Sequence, residues 1–261
     1  MLGKLIKHEL NATGRIFLPL YIIILILSLV NRVLTTIKIL DGPLNVLRGF
    51  TITAYTLSII ATLVVTFVIM ILRFYKNLMS DEGYLMFTLP AKPSQLISAK
   101  LIVSSLWNIA SIIVVACSLL VMLGTSKNMG ILREFIDMAL TGMKASFGSS
   151  YVLLIVEFII MMIVSLIQQV MLIYVSIAIG HLFNGHKVIG SFVSYIAIST
   201  IIQILVTIIL LIWARIAGSS LDDLEAIPQL VFPFSIIFSL ICNILFYLGT
   251  NYIFKKKLNL E

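Results

Sequence analysis

Six stretches of this chain contain no Asp, Glu, Lys or Arg: 16–31, 49–72, 101–126, 158–180, 188–214 and 226–254. Each approaches or exceeds the roughly 20 residues that carry a helix across the hydrocarbon core of a bilayer. Inside that core every backbone polar group needs a partner from the chain itself, so stretches of this length are read as helices. The overall balance agrees: 61% of the 261 residues are hydrophobic and 11% charged, against about 25% charged in an ordinary soluble domain. The predicted fold class is an all-α polytopic membrane protein, one transmembrane domain over 1–261. Its spans fall at approximately 16–35, 50–73, 100–124, 150–180, 188–213 and 232–254. The fourth is drawn to begin before its uncharged stretch, near Ser149, which encloses Glu157 and leaves it long enough to tilt. Pro19, Pro228 and Pro233 lie towards the ends of their stretches, where a missing amide is tolerated. No A-x-A site follows the first stretch, so no cleaved signal peptide is expected.

Orientation follows from the basic residues, which are retained on the cytoplasmic side. With the N-terminus inside, eleven Lys and Arg and four acids fall on that side, against seven and six outside, Glu157 set apart. Lys255, Lys256 and Lys257, directly after the last span, are the strongest part of this bias. Both termini are therefore expected in the cytoplasm. The net charge of +7 serves topology, and no nucleic-acid partner is expected.

Two segments outside the spans have the 3.6-residue period of helices lying along a membrane. At the start, Leu2, Leu5, Ile6 and Leu10 oppose Lys4, Lys7, His8 and Asn11, which predicts an interfacial amphipathic helix over 1–14; Glu9 breaks the pattern by falling on the apolar face. Between the third and fourth spans, Leu132, Phe135, Ile136, Ala139, Leu140 and Met143 oppose Arg133, Glu134, Asp137 and Lys144.

Catalytic and metal-binding patterns do not emerge. The stretch 180–188 places His186 where a phosphate loop requires Lys and lacks its Ser or Thr, and no strand is expected before it. His181 and His186 stand without further ligand types nearby. Cys117 and Cys242 sit in apolar stretches and are read as small hydrophobes. No metal, cofactor or catalytic residue is expected in this chain.

The spans carry polar stripes. Thr51, Tyr55, Ser58, Thr62 and Thr66 mark the second; Ser104, Asn108, Ser111 and Ser118 the third; Ser191, Tyr195, Ser199, Gln203 and Thr207 the fifth; Ser235, Ser239, Asn243, Tyr247 and Asn251 the sixth. Such stripes avoid lipid, either as helix-to-helix contacts or as a translocation surface. In the fourth span Glu157, Ser165, Gln168, Gln169 and Ser176 share about a third of the helix circumference. A carboxylate at membrane depth is costly unless paired, protonated or wetted, which marks Glu157 as functional; the competing reading has it anchoring the helix at the interface. Glu157, Gln168, Gln169, Gln203 and Asn243 are the candidates for a pathway.

Between the second and third spans runs RFYKNLMSDEGYLMFTLP. Ser80 can cap a short helix whose first turn holds Asp81 and Glu82, favoured at the positive end of the helix dipole. Pro90 and Pro93 then end it. The longer run FYKNLMSDEGYLMFTLPAKPSQLISAK resembles the corresponding loop of permease subunits of ABC-2 type ATP-binding cassette exporters of Firmicute-like bacteria. The opening MLGKLIKHEL followed by ATGRIFLPLY is similar to the start of the same group.

The resemblance implies a transmembrane subunit that pairs with a second permease copy, as a homodimer or heterodimer, among membrane lipids. It further implies docking on a separate cytoplasmic ATPase, which would hold ATP and magnesium. A coupling helix would fall over 77–87, with Leu78, Met79, Asp81, Glu82, Gly83 and Tyr84 at the contact, and a connecting helix over 2–11. Residues 215–233 would match an extracellular re-entrant segment. The expected cargo is amphipathic or hydrophobic: a peptide toxin, an antimicrobial or a lipid-like molecule. The alternative from the residues themselves is an ion-coupled secondary carrier or channel built on Glu157.

Overall fold

The structure is a computed structural model and describes residues 1–36, 45–79, 92–124, 126–183, 185–217 and 226–256. All regular structure among them is helical. The order is α1 (Leu2–Thr36), α2 (Asn45–Met79), α3 (Pro93–Leu123), α4 (Ser126–Phe147), a 3₁₀ turn (Gly148–Ser150), α5 (Tyr151–Gly180), α6 (Lys187–Ala217) and α7 (Ala226–Lys256). Six of these regions are long and apolar enough to cross a membrane, as expected of a multi-pass membrane protein.

The helices outrun the spans. At 1.5 Å per residue the 35 residues of α1 reach roughly 50 Å, against about 30 Å of hydrocarbon. The amphipathic opening is therefore not a separate element: residues 2–11 are the first turns of α1, and Pro19 lies inside that helix. The reason is visible in what α1 buries. Glu9, Thr13, Phe17, Tyr21, Ile24, Ser28 and Asn31 recur every three or four residues and all face inward, so one continuous stripe runs the length of the helix. The inward turn of Glu9 also explains why it broke the surface pattern.

The described residues pack as two compact units, Met1–Leu72 with Ile102–Leu140, and Arg73–Leu101 with Thr141–Glu261. The first contains α1, most of α2 and most of α3, joined by a ladder of hydrogen bonds. Trp107 donates its indole N–H to Thr13 Oγ1 at 2.7 Å. Ser111 Oγ meets the Tyr21 hydroxyl at 2.7 Å and Thr66 Oγ1 at 2.8 Å. Tyr55 meets Ser118 at 2.9 Å, Asn31 donates to the Thr51 carbonyl at 3.1 Å, and Arg32 donates to the Gly124 carbonyl at 3.1 Å. The α1–α3 rungs keep nearly constant sequence separations of 94, 90 and 92 residues, which is the register of two parallel helices. Phe17, Tyr21 and Met70 form the apolar core beside this ladder. The polar stripes of the second and third spans are thus, at these residues, helix contacts in which each hydroxyl finds a partner.

In the same unit α4 is the helix that residues 132–143 foretold. It leaves Ile131, Phe135 and Met138 exposed, and Leu132 and Phe135 line an apolar groove with Leu119, Leu120 and Leu123 of α3.

In the second unit α5 is central, packed against α6 and α7. Its residues 170–178 are buried in sequence, apart from a small exposure at none of them beyond 8%, so this part of the helix is enclosed on every side. Gly180 and Gly190 let the α5–α6 hairpin close: a Cβ on Gly180 would collide with the backbone N and Cα of Ser191. Gly185 turns the chain with φ +93°, a conformation glycine adopts without steric cost. Of the segment 215–233, Arg215 ends in α6 and residues 226–233 begin α7 as ordinary helix. Asp222, Asp223 and Glu225 lie outside the described residues.

Candidate functional site

The candidate site is the polar face of α5 towards α7, together with the end of α2 and the start of α3, which pack on the same helices. Contacts fix the alignment. Phe158 lies 5.9 Å from Phe232 between ring centroids, Asn243 donates to the Val164 carbonyl at 3.4 Å, and a Cβ on Gly249 would lie 3.6 Å from Val175 Cγ2. Ascending numbers on both helices make them parallel. α6 runs the other way, since Gln169 donates to the Tyr195 hydroxyl at 2.9 Å while Gly180 abuts Ser191.

These alignments divide the polar arc of α5. Glu157, Val164, Gln168 and Val175 fall within about 40° of one another at the ideal 100° per residue, and two of the four touch α7. Gln169, about 100° further round, faces α6. Helical position thus puts Glu157 and Gln168 on the arc of α5 that bears Val175, Asn243 reaches the Val164 carbonyl, and Gln169 faces α6. Gln203 is exposed on α6.

The seam is rich in acceptors. Glu157 Oε2, Asn243 Oδ1 and Asn251 Oδ1 are buried with no hydrogen-bond partner among the described residues. A buried polar atom left so costs on the order of 1–3 kcal/mol, more for a charged group. Each of these oxygens, spaced along α5 and α7, suits a group that donates: ammonium, amide N–H, hydroxyl, or a proton on the carboxylate itself. No cluster of three or more His, Cys, Asp or Glu able to hold a metal occurs among the described residues.

The expected coupling segment is described at its flanks. Leu78 is wholly buried and so offers no surface to a partner. Met79 ends α2, and Asp81, Glu82, Gly83 and Tyr84 lie outside the described residues. Aromatic side chains secure the flanks. Phe74 stacks on Tyr174 of α5 with centroids 3.7 Å apart and planes at 11°, and meets Phe254 of α7 edge-on at 6.0 Å. Tyr75 lies 5.2 Å from the His181 ring at the end of α5. On the other flank the Tyr247 hydroxyl meets Ser98 Oγ at 2.9 Å and donates to the Ser94 carbonyl at 3.1 Å. Tyr247 had a signal, its place in the sixth-span stripe; Phe74 and Tyr174 had none, because their partners lie a hundred residues apart.

The chain matches no family model, no curated protein and no solved structure.

Proposed function

We propose that this chain is the membrane-embedded permease subunit of an ATP-binding cassette exporter of the ABC-2 type, with ATP hydrolysed by a separate cytoplasmic subunit. One observation carries the reading: both flanks of residues 80–91, the stretch that resembles a coupling segment, are built into α5 and α7 through Phe74, Tyr174, Phe254 and Tyr247. Those are also the helices that bear Glu157, Gln168 and Asn243. A push on residues 80–91 is delivered through stacked rings and short hydrogen bonds to the polar seam.

In this reading ATP-driven closure of the partner moves the segment, and α5 and α7 move with it. The seam opens to one side of the bacterial cytoplasmic membrane and then to the other, with a different affinity for cargo in each state. Two permease copies face each other across the pathway. The chain makes and breaks no bonds; its contribution is access and affinity. The unpartnered oxygens of Glu157, Asn243 and Asn251 suit cargo that brings donors in an apolar body, such as an amphipathic peptide or an amine-bearing lipid-like molecule.

The test is capture. Tagged chain extracted in mild detergent brings down an ATPase, and Glu82→Ala or Tyr84→Ala weakens that capture while the chain still inserts; a chain that captures no ATPase removes the reading. The buried, unpartnered carboxylate oxygen of Glu157 favours one second reading, an ion-coupled carrier. Purified chain in vesicles would then transport on an ion gradient with no ATPase present, and Glu157→Gln would abolish it.

A further inference from the structure

Independently of that reading, the start of α1 carries features of a ligand site. Lys4, Asn11, Arg15 and Leu18 fall within about 60° of one another around the helix, with Lys7 and His8 beside them, and all six are exposed. Glu9, the one acidic residue of α1, is on the opposite side and buried. The exposed face is therefore basic without a compensating acid on its own helix. It ends where the uncharged stretch begins, at Ile16.

At that boundary a groove of about 590 Å³ opens between α1 and α3. Gly14 and Trp107 form its floor, Leu18 and Pro19 its apolar wall, and Asn11 and Arg15 its polar rim. The floor is held: the Trp107 indole donates to Thr13, and a Cβ on Gly14 would stand 3.7 Å from the ring. Pro19 has no amide, so the Arg15 carbonyl lacks the donor a helix would normally supply. The groove thus offers a guanidinium and an amide for an anionic group, a carbonyl that can accept from a hydroxyl, and an apolar run continuous with the exposed Leu18, Ile22 and Ile26 of the span.

We infer that this groove is a binding site for an anionic phospholipid, phosphatidylglycerol being the chemistry it fits. Its phosphate lies on Arg15 and Asn11, its glycerol hydroxyl reaches the Arg15 carbonyl, and an acyl chain runs over Pro19, Leu18 and Trp107. Charge complementarity selects this occupant over a zwitterionic lipid, because basic pockets at the membrane boundary collect anionic headgroups. Guanidinium suits phosphate through paired N–H donors, and an indole at the boundary is at home there.

Trp107 makes the site readable. The full chain with Trp213→Phe, leaving Trp107 as sole tryptophan, is reconstituted in phosphatidylcholine vesicles containing a minor fraction of bromine-labelled phosphatidylglycerol or bromine-labelled phosphatidylcholine. The phosphatidylglycerol is expected to quench Trp107 about fivefold more effectively, the factor that one well-placed basic residue provides. Arg15→Gln removes the preference, Arg15→Lys retains part of it, and raised salt weakens it. Arg133→Gln on the exposed face of α4 leaves it intact. Equal quenching by the two lipids overturns the inference, as does a preference that survives Arg15→Gln. Loss of the preference on adding soluble glycerophosphate would assign the site to a free phosphate and overturn the lipid. Should Arg15→Gln fail to fold, the Arg15→Lys and salt arms decide alone.

Discussion

Phe74 is the side chain through which one flank of the 80–91 segment meets the α5–α7 seam, so it should link stability to coupling. Its ring is wholly buried, stacked on Tyr174 at 3.7 Å and edge-on to Phe254 at 6.0 Å. Phe74→Ala removes too much to be informative: truncating a core Phe costs about 3–5 kcal/mol, a large share of a total stability of roughly 5–15 kcal/mol. Phe74→Leu keeps most of the apolar volume and discards the ring geometry. An aromatic pair contributes about 0.5–1.5 kcal/mol beyond its area; Phe74 has two, so the variant is expected to lose about 2 kcal/mol. Tyr174→Leu loses the stack and, by the same figure, about 1 kcal/mol from it.

Because the rings touch, the two changes are not independent. A double-mutant cycle by reversible unfolding in mild detergent is expected to give a coupling of about 1 kcal/mol between them. Under the exporter proposal, Phe74→Leu in a complex with the proposed ATPase is expected to lower transport per ATP hydrolysed while the complex still assembles. A coupling below about 0.3 kcal/mol, the scatter of additive sites, refutes an energetic role for the Phe74–Tyr174 stack. Unchanged transport per ATP refutes its role in coupling.

Ser111→Ala deletes both inter-helix bonds of the central rung, yet Tyr21 keeps the Trp107 carbonyl at 3.3 Å and Thr66 keeps the Thr62 carbonyl at 2.7 Å. The loss by the same unfolding measurement is therefore about 1 kcal/mol, near the membrane average of about 0.6 kcal/mol per bond, and adding Tyr21→Phe costs less than its separate effect. Gly180→Ala drives a Cβ into the Ser191 backbone, which cannot swing aside as a side chain could; a loss at or above the upper end of about 1–3 kcal/mol is expected, with lower folded yield by size-exclusion chromatography. Glu157→Gln preserves shape and removes charge, and under the exporter proposal is expected to change cargo-stimulated activity of the partner ATPase severalfold more than basal activity; equal loss of both would make Glu157 a folding residue.

The polar stripes show how far local pattern reaches. That Thr62, Thr66, Ser111 and Ser118 avoid lipid follows from their spacing alone. That Ser111 is shared between Tyr21 and Thr66, while Asn243 and Glu157 keep unpartnered oxygens, does not, since two stripes with the same period can serve packing or passage. The arc on α5 is the sharper case. Glu157, Gln168 and Gln169 are one cluster on a helical wheel, but α7 and α6 approach that wheel from different sides and divide it.

The six candidate spans and an amphipathic helix through 132–143 were determined by the sequence by itself, because the length of an apolar run and a 3.6-residue period are local quantities set against a fixed bilayer thickness. Only the tertiary structure decided that α1 runs unbroken from Leu2, that Glu9 turns inward, that the flanks of residues 80–91 are fastened to α5 and α7, and that Arg15 and Trp107 share a groove. Each of these depends on partners tens to a hundred or more residues away, and such pairings are chosen by packing and hydrogen bonding between helices rather than by anything written within one of them.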